Sequence, residues 1–277
     1  MPEFAAALIV GLPLGAAITV MSYRLGLLDR PGHIKPHARP VPFTGGAMIA
    51  LTLSLLAPFV GVPFPALLGV VLVWLVGFVD DARGLRPVLK LVAAIPALAI
   101  GSFAVELGPV ERLAAVAAGA LLVNAFNVVD GLDALAGGTA ALSFLALAFM
   151  PNALSALTMA ALGCVVAFLV FNLPPARLFL GDEGSLLLGY LLWLLPLGMV
   201  GLAAPTRLLA AIVLLWLFPL VNAAFVIATR LREGRSLVAG DRSHLYDVLH
   251  RRVGLRRTLL ACWGIAAVGA AAAAAIV

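Results

Sequence analysis

Residues 64–90 read FPALLGVVLVWLVGFVDDARGLRPVLK. Phe64 to Val79 carry no charge, and the run ends on two adjacent carboxylates, Asp80 and Asp81. As a helix this run reaches about 24 Å, close to the roughly 30 Å of a bilayer's hydrocarbon core. One such run is ambiguous between a buried core helix and a membrane span, so its repetition decides. Apolar runs punctuated by Pro, Gly and charge recur near residues 4–23, 45–62, 64–79, 88–106, 111–127, 134–150, 153–172, 184–203, 206–229 and 259–277. The expected fold is all-α, a polytopic membrane protein with about ten transmembrane helices.

Composition agrees. Of 277 residues, 64% are hydrophobic and 11% charged, against about a quarter charged in an ordinary soluble domain. The longest polar stretches, residues 24–44 and 230–258, are of loop length, so residues 1–277 are expected to form a single integral membrane domain. The first run has Glu3 on its flank rather than a basic leader and reads as a span, not a signal peptide. Cys164 and Cys262 lie inside apolar runs, which disfavours a disulfide or a thiolate metal site. The net charge of +5 comes from basic residues next to spans, not from a basic module, so no nucleic acid is expected as partner; membrane lipids are.

Loops after odd-numbered spans carry Arg24, Arg30, Lys35, Arg39, Arg83, Arg86, Lys90, Arg177 and the arginines from Arg230 to Arg257. Even-numbered loops carry only Arg112 and Arg207. The positive-inside rule makes the odd loops cytoplasmic and puts both termini outside. The same division places Asp80, Asp81, Asn124, Asn127, Asp130, Asp133, Asp182 and His244 at cytoplasmic span ends. A transporter would keep its key polar groups near the midplane, often on broken helices in two related halves. Clustering at one face points instead to chemistry in a cytoplasm-facing cleft.

Asp80 and Asp81 meet the negative end of their helix's macrodipole, which costs roughly 0.3–1 kcal/mol. Either they pair with Arg83 and Arg86 on the surface, or a cation or Lys90 sits opposite them. Asn124, Asn127 and Asp130 follow at intervals of three, a stripe of two amides and a carboxylate at the membrane edge, with Asp133 beyond Gly131. Asp130 and Asp133 also suit a capped turn between helices. Asp182, just before a run starting near Gly184, reads as an N-cap or as part of an oxygen-only ligand set of the kind magnesium prefers. Thr44, Gly45 and Gly46 open the second run, and their backbone N–H groups form a candidate anion site. In GDRSHLYDVLHRRVGLRR, residues 240–257, a short amphipathic helix carries Leu245, Val248, Leu249 and Val253 on one side; headgroup binding and phosphate contact by Arg242 and His244 are the two readings.

DDARGLRPVLK (80–90), NAFNVVDGLDALAGG (124–138) and FLGDEGSLLLGY (179–190), in that order and with a PxxGG element at Pro42–Gly46, resemble the polyprenyl-phosphate N-acetylhexosamine-1-phosphate transferases. The same superfamily holds the phospho-MurNAc-pentapeptide transferase. The resemblance covers almost the whole chain. It implies a bacterial inner-membrane enzyme in which undecaprenyl phosphate attacks the β-phosphorus of a UDP-N-acetylhexosamine and UMP leaves. It implies Mg²⁺, with Mn²⁺ as an alternative, held by Asp182 with Asn127 close by. Asp80 and Asp81 resemble the catalytic pair, Lys90 a phosphate contact, and Asn124, Asp130 and Asp133 nucleotide or metal-shell residues. Lys35, Thr44, Gly45, Arg242 and His244 complete the expected substrate site, and a homodimer is one expectation for the assembled state. Asp80 is left with three roles: taking a residual proton, orienting the acceptor, or forming a covalent intermediate.

Many members of that superfamily carry HxHH in the last cytoplasmic loop, where this chain has His244, Leu245, Tyr246 and Asp247. That departure argues against a MurNAc-pentapeptide substrate and is similar to the RSHLY-type branch that initiates surface polysaccharides. The expected sugars are N-acetylglucosamine or a 6-deoxy sugar such as FucNAc or QuiNAc. The rival readings are a multispanning transporter and a CDP-alcohol phosphotransferase. The latter is suggested by Asp130-Gly131 and Asp133, but its motif wants an Arg that residues 134–138 lack.

Overall fold

A computed structural model describes residues 1–31, 39–235 and 243–277. The described chain is helical apart from a two-residue antiparallel pairing, β1 (Leu28–Asp29) with β2 (Val41–Pro42), in register Leu28 to Pro42. The helices are α1 (Pro2–Leu25), α2 (Gly45–Val60), α3 (Phe64–Arg83), α4 (Pro87–Gly101, continued by a 3₁₀ turn to Ala104), α5 (Pro109–Asn127), α6 (Leu135–Leu147), α7 (Ser155–Asn172), α8 (Gly181–Leu197), α9 (Pro205–Leu215), α10 (Leu217–Arg232), α11 (Leu245–Val253) and α12 (Leu255–Ile276). Each of the ten apolar runs is helical, and α11 is the short amphipathic helix expected in the last loop. Among the described residues six helices are long and apolar enough to cross a membrane, seven if α9 and α10 count as one bent span. The apolar helices α2 and α6 are shorter. The chain is thus an all-α polytopic membrane protein.

The ninth run departs from the single span expected. It breaks at Trp216 into α9 and α10, bent by 66°. Pro219 has no N–H to return to the Leu215 carbonyl four residues back, which is how proline kinks a helix. That carbonyl instead accepts a bond from the Ser143 hydroxyl of α6, at 3.0 Å. With little water available inside a membrane bundle, the freed backbone group is satisfied by a neighbouring side chain.

At the centre lies α8, whose residues from Glu183 to Leu197 are all buried and which packs against α2, α3, α5 and α6. Its neighbours approach through glycine. A Cβ on Gly46 would lie 2.3 Å from the Gly184 nitrogen, and one on Gly77 2.2 Å from the Glu183 Cα. Small residues at helix contacts are what allow such approach where lipid removes the hydrophobic drive between helices. The closest contacts fall at the first turn of α8, so α2 and α3 are locked to it where Asp182 sits. Gly77→Ala is expected to push α3 from α8, destabilising the protein by about 1–3 kcal/mol as overpacked sites do. A lower melting temperature in detergent, with reduced turnover, is the expected result; a wild-type melting curve would contradict this account of the packing.

Candidate active site

Four helix ends meet at one end of the bundle: the last turn of α3, the first turn of α4, the last residue of α5 and the first turn of α8. Gly84, at φ +67, closes α3 by returning its N–H to the Asp80 carbonyl at 2.7 Å, a left-handed stop that glycine adopts without steric cost. Pro87 then starts α4, and Lys90 points back across the turn. Its ammonium is ion-paired with Asp80 and lies 3.2 Å from Asp182 Oδ1. It also donates to Asn127 Oδ1 at 3.4 Å. Asn127 Nδ2 donates to Asp182 Oδ1 at 2.5 Å and to the Ser185 hydroxyl at 2.6 Å. Asp80 and Lys90, from one stretch of sequence, and the distant Asn127 and Asp182 are one bonded cluster.

Asp81 has a different place. Its Oδ1 accepts the N–H of Asp182 at 3.0 Å and its Oδ2 that of Glu183 at 2.9 Å. The carboxylate from the end of α3 therefore caps the start of α8. Hydrogen bonds to a charged group contribute about 1.5–3 kcal/mol each, which outweighs the roughly 0.3–1 kcal/mol cost of a carboxylate at a helix C-terminus. Asp80 thus has the Lys90 partner that the sequence offered, and Asp81 has one it did not suggest, the N-terminus of a second helix. Neither partner is Arg83 or Arg86, both of which are exposed. The N-cap reading of Asp182 is corrected as well. Helix α8 begins at Gly181, Leu180 is its N-cap, and Asp182 stands in the first turn with its side chain turned to Lys90 and Asn127.

The stripe through Asn124, Asn127 and Asp130 is shorter than the spacing suggests. Helix α5 ends at Asn127, and Asp130 lies beyond it in a turn whose N–H reaches back to the Asn127 carbonyl at 3.3 Å. Asn124 sits one turn earlier on α5 and is not among the four bonded side chains. Burial, with the carboxylates of Asp182, Asp81 and Asp133 nearby, holds the Asp130 carboxyl well above the usual carboxylate range. Asp133 accepts the Ala176 N–H at 3.0 Å and so ties the α5–α6 turn to the α7–α8 connection.

Of the anion site expected at the N–H groups of Thr44, Gly45 and Gly46, the two glycine donors are taken. The N–H of Gly45 goes to the Phe179 carbonyl at 2.9 Å and that of Gly46 to the Leu180 carbonyl at 3.0 Å. The Ala47 N–H goes to Glu183 Oε1 at 2.9 Å, and the Thr44 hydroxyl pairs with Ser22 at 2.6 Å. This segment positions the start of α8. Lys35 and Arg242 lie outside the described residues. His244 is buried at the start of α11, its ring stacked on Tyr246 with centroids 5.2 Å apart.

Three residues escaped the sequence reading. Glu183 is fully buried, with Oε1 on the Ala47 N–H and Oε2 on Trp74 Nε1, both at 2.9 Å. An acidic residue leading an otherwise apolar helix was its signal. Ser185 orients the Asn127 amide. Tyr246 donates to the Val128 carbonyl at 3.0 Å and fills the space a Cβ on Gly131 would need, docking α11 on the Asp130–Gly131 turn. No pattern in the sequence signalled that contact.

Among the described residues no three His, Cys, Asp or Glu side chains form a metal cage. The donors fit a sparser site. Asp182 and Asn127 present oxygens that already converge on a cation, the Lys90 ammonium, and magnesium is usually held by one or two carboxylates plus substrate phosphates.

Residues 63–200 match the family model described as Glycosyl transferase family 4. An undecaprenyl-phosphate alpha-N-acetylglucosaminyl 1-phosphate transferase of Thermotoga maritima is 31% identical over 268 residues, covering 91% of this chain and 82% of the relative. Proteins of the same name from Yersinia pestis and from Escherichia coli strain K12 are each 26% identical, covering 83% and 82% of this chain and 71% and 70% of theirs. With a matched region that contains the whole Asp80, Lys90, Asn127 and Asp182 cluster, the chain belongs to glycosyl transferase family 4, in the polyprenyl-phosphate N-acetylhexosamine-1-phosphate transferase superfamily.

Proposed function

We propose that the protein transfers N-acetylglucosamine 1-phosphate from UDP-N-acetylglucosamine to undecaprenyl phosphate. A phosphate oxygen of the lipid forms a bond to the β-phosphorus, the bond from that phosphorus to the bridging oxygen breaks, and UMP leaves with the electron pair. The observation that carries this is the cluster of Asp80, Lys90, Asn127 and Asp182 at one end of a membrane bundle, together with the names of the relatives. Phosphoryl transfer asks mainly for positioning and charge neutralisation. A phosphate monoester has its second pKa near 6, so the acceptor arrives mostly as a dianion. In our reading Lys90 draws the phosphates in and Asp80 fixes Lys90. Asp182 and Asn127 hold Mg²⁺, or Mn²⁺ in its place, which when bound neutralises charge on the pyrophosphate.

The described parts of the basic loops share the end of the bundle that holds the cluster, so we assign that end to the cytoplasm, both termini to the outside and the protein to the bacterial inner membrane. Purified protein given undecaprenyl phosphate and Mg²⁺ should release UMP from UDP-N-acetylglucosamine. UDP-FucNAc and UDP-QuiNAc belong in the same panel, since preference for either would move the sugar and keep the reaction. Silence with every UDP-sugar, or release of CMP from a CDP-alcohol, would overturn the proposal.

A further inference from the structure

Lys90 lies where a metal held by Asp182 and Asn127 would also lie. Its nitrogen is 3.2 Å from Asp182 Oδ1 and 3.4 Å from Asn127 Oδ1, whereas magnesium takes oxygens at about 2.0–2.1 Å. Two cations crowded on those oxygens repel one another at close range. The cluster is nevertheless set for a metal, because Asn127 spends its amide hydrogens on Asp182 and Ser185 and turns its oxygen toward the cation. A metal taking that oxygen needs no flip of the amide.

The two carboxylates around Lys90 are unequal. The Asp80 side chain is 4% exposed, and its Oδ1 also accepts the Leu85 N–H at 2.6 Å, so it is enclosed by the turn that carries Lys90. The Asp182 side chain is 36% exposed and open to an incoming ion. Displacement of Lys90 from Asp182 leaves the enclosed pair with Asp80 intact; displacement from Asp80 would strand a buried carboxylate.

We propose that Lys90 is the placeholder cation of the metal-free site: it bridges Asp80 and Asp182, yields Asp182 and Asn127 to an incoming divalent metal, and keeps Asp80. The proposal rests on the metal-site reading above. It gives Lys90 effects of opposite sign on two measurements. Removing its charge favours binding of metal alone and harms turnover, which loses a phosphate contact.

The test titrates Mn²⁺ alone, without nucleotide, into full-length protein in nanodiscs, reading free Mn²⁺ by electron paramagnetic resonance. Lys90→Met is expected to bind Mn²⁺ about tenfold tighter than wild type, since a neighbouring positive charge is gone, while UMP release falls. Lys90→Arg should keep the weaker affinity. Equal or weaker Mn²⁺ binding by Lys90→Met, with binding still lost in Asp182→Ala, would overturn the placeholder role and leave the metal site standing. Saturable binding unaffected by Asp182→Ala would instead sink the metal site. A second measurement needs no variant. Lys90 is one of only two lysines in the chain, the other being Lys35. Its labelling by an amine-acylating reagent, read by mass spectrometry, should speed up on adding Mg²⁺ as Asp182 lets go; an unchanged or slower rate counts against the proposal.

Discussion

Asp182→Ala is expected to lower UMP release by about 10³-fold or more, at the upper end of what removing one charge-stabilising group costs an enzyme, while leaving the melting temperature close to wild type. The expectation comes from comparing the carboxylates at this end of the bundle. Asp81 has both oxygens on backbone N–H groups, and Glu183 has one on Ala47 and one on Trp74. Asp133 holds the Ala176 N–H. Asp80 is enclosed with Lys90. Asp182 alone among these combines a cluster position with a side chain 36% exposed. It caps no backbone N–H, so alanine leaves the start of α8 held by Asp81 and gives up only the side-chain bonds to Lys90 and Asn127. Turnover measured with UDP-N-acetylglucosamine, alongside a thermal melt of the same preparation, checks both halves. Near-normal UMP release would refute the assignment; a collapsed melt would show that the bonds of Asp182 to Lys90 and Asn127 hold the helices together.

Much of the fold was legible because its signal is local. An apolar run closed by Pro or Gly announces helix, and all ten runs are helical, the ninth as two helices and the second and sixth as shorter ones. What the runs could not disclose is which helix lies innermost. Helix α8 is barely more apolar than α1, yet one is buried along its length and the other is largely exposed. That difference is made by glycines on α2 and α3 that admit a neighbouring backbone, and each looks ordinary in its own run. The break at Trp216 was hidden similarly, since Pro219 could be carried within one kinked span and only Ser143 on another helix makes the sharper bend stable. In the candidate site, spacing along one helix gave too much to Asp130, because α5 stops at Asn127. The oxygens around Lys90 come from three other helices, and no window of sequence contains them.

Adjacent in sequence, Asp80 and Asp81 should fail in different ways when replaced. Asp80→Asn keeps the shape of the side chain and its acceptor for the Leu85 N–H, but it removes the charge that anchors Lys90. The expected result is a folded protein whose UMP release is down by about 10²–10³-fold, since an electrostatic partner inside a low-dielectric site is lost. Asp81→Ala removes the acceptor of two N–H groups at the first turn of α8. Losing a helix cap costs about 0.5–2 kcal/mol, and a buried donor left without a partner about 1–3 kcal/mol, so a loss of roughly 2–4 kcal/mol is expected. Gly181 has a positive φ, and a Cβ there would come within 2.8 Å of Asp81 Oδ2, so the carboxylate lies close against the turn into α8. Asp81→Asn should retain part of that stability, because its amide oxygen still accepts one of the two bonds, whereas its NH₂ would face the other N–H. Thermal melts of Asp81→Ala and Asp81→Asn, with UMP release by Asp80→Asn, separate the roles. If Asp81→Ala melts like wild type but is inactive, Asp81 acts on substrate and the cap is incidental. If Asp80→Asn loses stability but keeps its turnover per folded molecule, the ion pair with Lys90 is structural, and the charge that matters for phosphate transfer is carried by Asp182.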